Sequence, residues 1–263
     1  SRSTPKWAVD STGQWRQFAP NEPAITDLGL SIEPAGTNLV PNPGLAGASV
    51  GVVGAGGSLP TGWWHNGTLT TEVVAITTLM GLPALHVRVS GVASGTFYEL
   101  SVMPMNTPMA PATPYTASVL IQVLSGATPL LQLRQAAAGD AQVTGLSLTS
   151  ANSSRRHSVS FESSVSTVQC RLRLALVTNP GSSYSAEVFL AHPQLEYGLV
   201  LTSPIATDRA VDEPVLNLPA ESMKVSILST GGETFWPVGG GSFLLSPQSS
   251  FAHLLEARGW LLT

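Results

Sequence analysis

Charge is the property that this sequence has least of. Asp, Glu, Lys and Arg together make up 11% of the 263 residues, whereas about a quarter is usual in globular domains. Long surface helices need charged residues on their solvent face, so this scarcity argues against a helical protein. The formal net charge is −4 and the basic residues are scattered. Because no large positive field is then available to hold phosphate groups, we expect no nucleic-acid partner.

Cysteine and long apolar runs are also lacking. Cys170 is the single cysteine, which excludes an intrachain disulfide and a cysteine-cluster metal site. No apolar run is long enough for a transmembrane helix, so we expect no membrane insertion. The histidines show no metal-ligand spacing such as His-x-x-x-His. We therefore expect neither a metal site nor a cofactor.

The sequence is instead rich in turn residues and in short alternating segments. It has 25 glycines and 20 prolines, which favour many strands joined by turns. Segments with strand character occur at residues 85–89, 116–123, 131–134, 158–161 and 171–176. Apolar residues alternating with polar ones are typical of antiparallel sheets that are packed on one side. Within residues 171–176, we expect Leu172 and Leu174 to be buried, and Arg171 and Arg173 to face solvent or a partner.

These patterns predict an all-β protein. Its main part is an antiparallel β-sandwich, most consistent with a jelly roll, over residues 38–200. Residues 1–37 form an N-terminal lead-in with too few apolar residues for a core of their own. Residues 201–263 form a C-terminal β extension.

Three segments of the sequence resemble bacteriophage virion proteins. Residues 1–23 read SRSTPKWAVDSTGQWRQFAPNEP, residues 29–43 read GLSIEPAGTNLVPNP, and residues 193–214 read PQLEYGLVLTSPIATDRAVDEP. Motifs of this kind occur in this order in head-spike, tail-fibre and related proteins of tailed phages and gene transfer agents. The middle of the chain is similar to the jelly roll of carbohydrate-binding modules, on Asn38-Leu39-Val40-Pro41-Asn42 and Gly62-Trp63.

The resemblance implies a protein on the virion surface. Its expected partners are a host capsular or surface polysaccharide and other virion proteins, and it would assemble as a homo-oligomer, with a trimer favoured. The lead-in would pack against the C-terminal segment that leaves the sandwich. Such jelly rolls commonly hold a structural calcium ion, but the last strand carries His192 and Gln194 rather than an Asp, which argues against calcium here.

A cluster of side chains suited to a sugar lies at residues 63–66. Adjacent residues of a strand point to opposite faces, so Trp63, which matches the family Gly-Trp, is assigned to the core. Trp64 is then available to solvent, a ligand or a subunit interface. An exposed aromatic ring with amide, imidazole or guanidinium groups nearby suits a sugar. The predicted glycan-binding residues are Trp64, His65, Asn66, Arg88 and Tyr98.

Further polar side chains occupy the polar faces of the predicted strands. They form one polar surface if their strands share a sheet. These residues are Arg88, Tyr98, Gln132, Arg134, Arg171 and Arg173.

Two other functions remain open from the sequence. A structural adaptor would use its apolar surface to join virion proteins, and a polysaccharide-degrading enzyme would need two close carboxylates in a cleft. Residues 47–51 match the Gly-x-Ser-x-Gly nucleophile pattern, but no helix follows them, so we treat the match as chance. No carboxylate pair stands out, and we expect no catalytic residues. Exposure of Trp64 and Tyr98 on a groove would favour glycan binding, whereas burial between subunits would favour the adaptor.

Overall fold

The computed structural model is built from strands. It describes residues 3–10, 12–26, 29–31, 33, 35–104, 107–136, 141–147, 155–165, 169–209, 215–218, 224–229, 232–237, 241–244 and 253–260. Within these ranges there are 24 strands and no helix. In the described part of the chain, therefore, no helix is long and apolar enough to cross a membrane.

The strands are numbered in chain order. They are β1 (Lys6–Val9), β2 (Trp15–Phe18), β3 (Ile25–Thr26), β4 (Gly29–Ser31), β5 (Gly36–Thr37), β6 (Gly51–Val53), β7 (Gly56–Gly57), β8 (Trp64–Asn66), β9 (Thr70–Leu79), β10 (Leu82–Val92), β11 (Phe97–Ser101), β12 (Thr107–Pro108), β13 (Pro114–Gly126), β14 (Leu130–Ala136), β15 (Ala141–Ser147), β16 (Arg155–Glu162), β17 (Gln169–Val177), β18 (Ser183–Tyr197), β19 (Asp208–Arg209), β20 (Val215–Leu218), β21 (Lys224–Ser229), β22 (Gly232–Pro237), β23 (Gly241–Leu244) and β24 (His253–Trp260).

The chain divides into two compact units. Residues 38–201 form one, called here the sandwich unit, and residues 1–37 with 202–263 form the other, called the terminal unit. The sandwich unit has a seven-stranded sheet in the order β16-β13-β18-β10-β9-β6-β7 and a six-stranded sheet in the order β15-β14-β17-β11-β8, with β12 also paired to β17. Apart from the β6–β7 pair, the ladders are antiparallel. Consecutive strands repeatedly change sheet, as in a jelly roll, so the predicted fold class is confirmed.

One apolar core lies between the two sheets. It takes Val87 and Val89 from β10 of one sheet, and Leu172 and Leu174 from β17 of the other. The alternating pattern predicted burial of the two leucines, and this is confirmed. Trp63 also lies in this core, as the Gly-Trp resemblance implied.

Two asparagines of the resembling segment organise the start of the sandwich unit. The Asn38 side chain donates to the Pro193 carbonyl over 3.1 Å and accepts from the Leu195 amide over 3.1 Å, which ties the start of the unit to its last strand. The Asn42 amide donates to the carbonyls of Ala46 and Thr61 over 2.8 and 3.1 Å. These bonds close the loop that precedes Gly62-Trp63 and so position strand β8, which follows the loop in the chain.

The terminal unit is also built from paired strands. It contains the hairpin β1-β2, the pairs β19-β5 and β20-β23, and a sheet in the order β22-β21-β24-β4-β3. A buried ion pair joins distant parts of it, because the Lys6 Nζ lies 3.2 Å from Glu33 Oε2 and donates to the Ser31 carbonyl over 2.9 Å. The same carboxylate accepts from the Ser203 amide and hydroxyl over 2.7 and 2.6 Å.

Candidate functional site

The side of the six-stranded sheet that faces away from the core carries a group of polar and aromatic side chains. We call this side the polar face. Its described members include Trp64, Asn66, Phe97, Glu99, Ser101, Gln132, Arg134, Arg171 and Arg173.

The strand register places these side chains on one side. Tyr98 and Leu100 of β11 belong to the core, so the alternating residues Glu99 and Ser101 point the other way. Ser101 is opposite both Trp64 of β8 and Arg173 of β17. Directly opposed residues in antiparallel strands share a face. Arg173 is in turn opposite Gln132 of β14, which makes one row across four strands.

Trp64 and Asn66 lie on β8, at the edge of the sheet. Trp64 is half-buried, and its indole N–H is buried without a hydrogen-bond partner among the described residues. Asn66 is exposed, and its Oδ1 accepts from the Gly67 amide over 2.9 Å. The edge of the polar face therefore offers a half-buried aromatic ring and the exposed Asn66 amide to a ligand.

A buried charge network occupies the middle of the polar face. The Arg173 guanidinium donates to the carboxylate of Glu99 and, over 3.1 and 3.0 Å, to Gln132 Oε1. It also lies 4.7 Å from the centre of the half-buried Phe97 ring, a cation–π distance. The prediction that Arg173 faces solvent or a partner is wrong, since it is 5% exposed within this chain itself. A buried guanidinium is tolerated here because a carboxylate and an amide oxygen satisfy it.

His65 and Tyr98 lie behind this face. The Thr71 hydroxyl is 2.7 Å from the Tyr98 hydroxyl and 3.1 Å from His65 Nδ1, and the two rings are 6.3 Å apart. Placing Tyr98 on a polar face was an error, because its ring is in the core and only 2% exposed. Burial raises the pKa of the Tyr98 hydroxyl and lowers the pKa of the His65 imidazole. These two residues support Trp64 and Asn66 from the other side of β8.

We expect the stability of the sandwich unit to fall as the pH drops below about 6.5, the ordinary pKa of histidine. Because the pKa of His65 is lowered in the folded protein, the unfolded chain binds this proton more readily, and acid favours unfolding. His65→Gln should reduce the slope of melting temperature against pH between about pH 7.5 and pH 5. Thr71→Val is the control, since it removes the hydrogen bonds but keeps the titrating group. An unchanged slope in His65→Gln would contradict this role.

Arg88 lies on the other sheet. It is on β10 of the seven-stranded sheet, where its Nε donates to Glu187 Oε1 over 2.6 Å and its Nη1 to Glu72 Oε2 over 3.0 Å. His86 Nε2 is 3.2 Å from the second Glu187 oxygen. The hydrogen bond to Arg88 lowers the pKa of Glu187, and the bond to Glu187 raises the pKa of Arg88. The predicted single polar surface is therefore wrong for Arg88, which the sandwich separates from the polar face.

Three members of the polar face, Phe97, Glu99 and Ser101, were not singled out from the sequence. The signal was present in residues 97–101, where Phe97, Glu99 and Ser101 alternate with Tyr98 and Leu100. Leu100 is apolar and lies two residues from Tyr98 on the same strand. This spacing predicts that both residues face the core. Applying the alternation of strand residues here would have assigned Glu99, and not Tyr98, to the polar face.

The described residues contain no other feature that suits a ligand as well. They hold no group of three or more His, Cys, Asp or Glu side chains placed to bind a metal ion. Burial raises the pKa of the Cys170 thiol to about 12, which makes it a poor nucleophile. A void of about 20 Å³ between the sheets is lined by apolar side chains such as Val89, Leu100 and Leu174. It is large enough for one water molecule and too small for a sugar.

Comparison with known proteins gives remote likenesses in structure. Neither a protein-family model nor a curated protein matches the sequence. The structure is similar to the enzymatically active domain of tailspike protein 4 of bacteriophage CBA120, with 13% identity, 53% of this chain, 20% of that chain and a TM-score of 0.36. It is also similar to the N-terminal cellulose-binding domain of Cellulomonas fimi β-1,4-glucanase C, with 17% identity, 54% of this chain, 92% of that domain and a TM-score of 0.36.

A third likeness is to the family 11 carbohydrate-binding module of Clostridium thermocellum, solved with a β-1,3-1,4-mixed-linked tetrasaccharide. The identity is 9%, the match covers 65% of this chain and 99% of that module, and the TM-score is 0.35. The chain thus spans about one fifth of the tailspike domain and nearly all of the two binding modules. At these identities and scores, the likenesses assign neither a ligand nor a residue role to this chain.

Proposed function

We propose that this protein is a non-enzymatic glycan-binding protein on the surface of a phage or phage-like particle, where it binds a host-cell surface polysaccharide. The observation that carries the proposal is the edge of the polar face. There, the half-buried ring of Trp64 lies one strand away from the charge network of Glu99 and Arg173. The virion assignment is supported by the three segments that resemble phage virion proteins, at residues 1–23, 29–43 and 193–214.

The chemistry of this edge suits a sugar. A pyranose offers an apolar C–H face to an aromatic ring and a fringe of hydroxyls to hydrogen-bonding groups. Trp64 supplies a half-buried ring, and Asn66 supplies an exposed amide. The strand holding them is fixed from behind by the bond between His65 and Thr71, so the site is organised before a ligand binds.

The contacts of the carboxylates beside Arg173 and Arg88 favour a purely binding role over hydrolysis. Glycosidases need one carboxylic acid with a raised pKa to protonate the leaving group. Glu99 is buried against Arg173, and a nearby guanidinium favours the charged form. Glu72 and Glu187 flank Arg88 on the other sheet, and the pKa of Glu187 is lowered. Glu99 and Glu187 are therefore suited to holding the arginines beside them in place.

We expect Trp64→Ala particles to assemble normally and to lose binding to encapsulated host cells. Removing the ring takes away about 1.5–3 kcal/mol of apolar contact, or roughly 10- to 100-fold in affinity at each site. Display as a trimer would multiply this loss through avidity. The measurement is adsorption of whole particles to host cells with and without their capsule.

The matched control for this experiment is Trp15→Ala. Trp15 is also half-buried, but it lies on β2 of the terminal unit. If particles of the Trp64 variant assemble and adsorb like particles of the Trp15 variant, the polar face is not the glycan-binding site. Failure of the Trp64 variant to assemble would instead favour an adaptor role.

The adaptor role has one observation of its own. Tyr197, Leu199, Val200 and Leu201 follow one another at the end of β18 with exposed fractions between 38% and 64%. Their backbone is held by hydrogen bonds of 2.9 Å from the Gly198 amide to the Pro114 carbonyl and from the Ser160 hydroxyl to the Leu199 carbonyl. Exposed apolar side chains on a fixed backbone are suited to packing against another virion protein.

A further inference from the structure

Two aromatic side chains lie at separate positions along the edge of the polar face. Trp64 of β8 is directly opposite Ser101 of β11, and Phe97 lies four residues before Ser101 on the same strand. Four residues of a strand span about 13 Å and neighbouring strands lie about 5 Å apart, so the two positions are roughly 14 Å apart. Both rings are half-buried. A single pyranose ring is shorter than this separation, so one sugar unit cannot stack on both.

Asn66 lies between the two aromatic positions. It is two residues after Trp64 on β8 and directly opposite Glu99, which is midway between Ser101 and Phe97 on β11. The Asn66 side chain is exposed, whereas Glu99 and Ser101 are buried. Along this edge, the order is therefore an aromatic ring, an exposed amide and a second aromatic ring.

The Phe97 ring is fixed by the charge network beside it. The Arg173 guanidinium lies over one side of the ring, 4.7 Å from its centre, and is itself held by Glu99 and Gln132. Arg173 is buried, whereas Phe97 is half-buried, so the exposed part of the ring is turned away from the guanidinium. A ring held in place in this way loses little conformational freedom when a ligand binds.

We infer that Phe97 is a second aromatic contact for the glycan, and that the ligand is a linear stretch of about three or more sugar units lying from Trp64 to Phe97; this inference rests on the proposed glycan-binding function. The two rings take the apolar C–H faces of the outer units. The Asn66 amide takes hydroxyls of a unit between them. The direction of the bound chain follows β8 and β11, because these three side chains lie along those strands.

The variants separate the contact with a ligand from the shielding of Arg173. Phe97→Leu keeps an apolar cover over the guanidinium but removes the flat ring, whereas Phe97→Tyr keeps the ring. The matched control is Val177→Ala. Val177 is directly opposite Phe97 on β17 and is 68% exposed, so this substitution removes apolar surface beside the ring and leaves the ring in place. Melting temperatures of all variants show whether a loss of binding comes from a loss of fold.

The test uses the full-length protein and capsular polysaccharide purified from the host cells to which the particles adsorb. Partial hydrolysis and size separation give short fragments, of one or two sugar units, and long fragments, of six or more. We expect the parent protein to bind the long fragments about tenfold or more tightly than the short ones in calorimetry, because a long fragment also reaches the second ring.

The expected losses depend on fragment length. Phe97→Leu should weaken binding of the long fragments by about tenfold and leave binding of the short ones within about twofold of the parent, because the short ones need only Trp64. Phe97→Tyr and Val177→Ala should stay within about twofold for both lengths. Trp64→Ala should weaken binding of both.

Each outcome bears on the inference. Equal affinity of the parent protein for short and long fragments would overturn it, as would unchanged binding in Phe97→Leu. Equal losses for both lengths in Phe97→Leu would also overturn it, since that is the result of a purely structural role. In these cases a loss in Trp64→Ala leaves the proposed glycan function standing. Binding of neither the fragments nor the intact polysaccharide would overturn both.

Discussion

Glu99→Ala should be among the most damaging substitutions in the sandwich unit. It leaves the Arg173 guanidinium buried at 5% exposure with no carboxylate beside it. Removing one partner of a buried ion pair typically lowers the free energy of unfolding by about 3–5 kcal/mol, because the remaining charge is uncompensated. Chemical denaturation followed by tryptophan fluorescence measures this loss. The remaining bonds from Arg173 to Gln132 Oε1 soften the effect but supply no negative charge.

Two further variants show whether the loss comes from the stranded charge. Replacing both partners, as Glu99→Leu with Arg173→Met, should restore much of the stability, because an apolar pair of similar volume needs no counter-charge. Glu162→Ala, at an exposed position on β16, should stay within about 0.5 kcal/mol of the parent. Equal stability of the Glu99 and Glu162 variants would show that the pair is not buried in solution.

Lys6→Met should destabilise the terminal unit to a similar extent. The substitution keeps the length of the side chain but removes the ammonium group that bonds the Ser31 carbonyl and Glu33. Glu33, a buried carboxylate, then loses its ammonium partner and keeps the two Ser203 donors. Loss of a buried ion-pair partner again corresponds to about 3–5 kcal/mol. Thermal unfolding by circular dichroism is the measurement.

The same hairpin provides the control. Arg16 on β2 forms an ion pair with Glu22 at 2.9 Å, but the two side chains are 58% and 37% exposed. Exposed pairs contribute about 0–1 kcal/mol, so Arg16→Met should have little effect. If the two variants melt alike, the ion pair between Lys6 and Glu33 does not hold the terminal unit together. Deleting residues 1–37 removes β1 to β5, including the partners of β19 and β24, and should lower stability or solubility in either case.

Much of the fold could be predicted from local pattern. The alternation in residues 85–89 and 171–176 is a property of neighbouring residues, and period two alone assigns Leu172 and Leu174 to one side of a strand. The same rule separates Trp63 from Trp64, and the structure places Trp63 in the core. Low charge and abundant turn residues indicated strands in place of helices. Each of these inferences needs only a few residues that are adjacent in the chain.

The candidate site could be predicted only in part. Trp64 and Asn66 share the polar face because they are two residues apart on one strand. Arg88 was grouped with Gln132 and Arg173 because all three alternate with apolar residues, yet it lies on the opposite sheet. A period-two pattern states which residues share a side of one strand, but it does not state which sheet the strand joins.

The strand character of this protein, the sidedness of its strands and the core position of Trp63 follow from short stretches of its sequence. The choice of neighbouring strands depends on the folded arrangement, which is why Arg173 meets Glu99 across 74 residues of chain and Lys6 meets Glu33. The reason is physical: the alternation within a strand follows from local backbone geometry, whereas the burial of a charge depends on a partner brought from a distant segment. A lone arginine in an alternating strand is most stable in water, and it becomes buried only where the sheet order supplies its carboxylate.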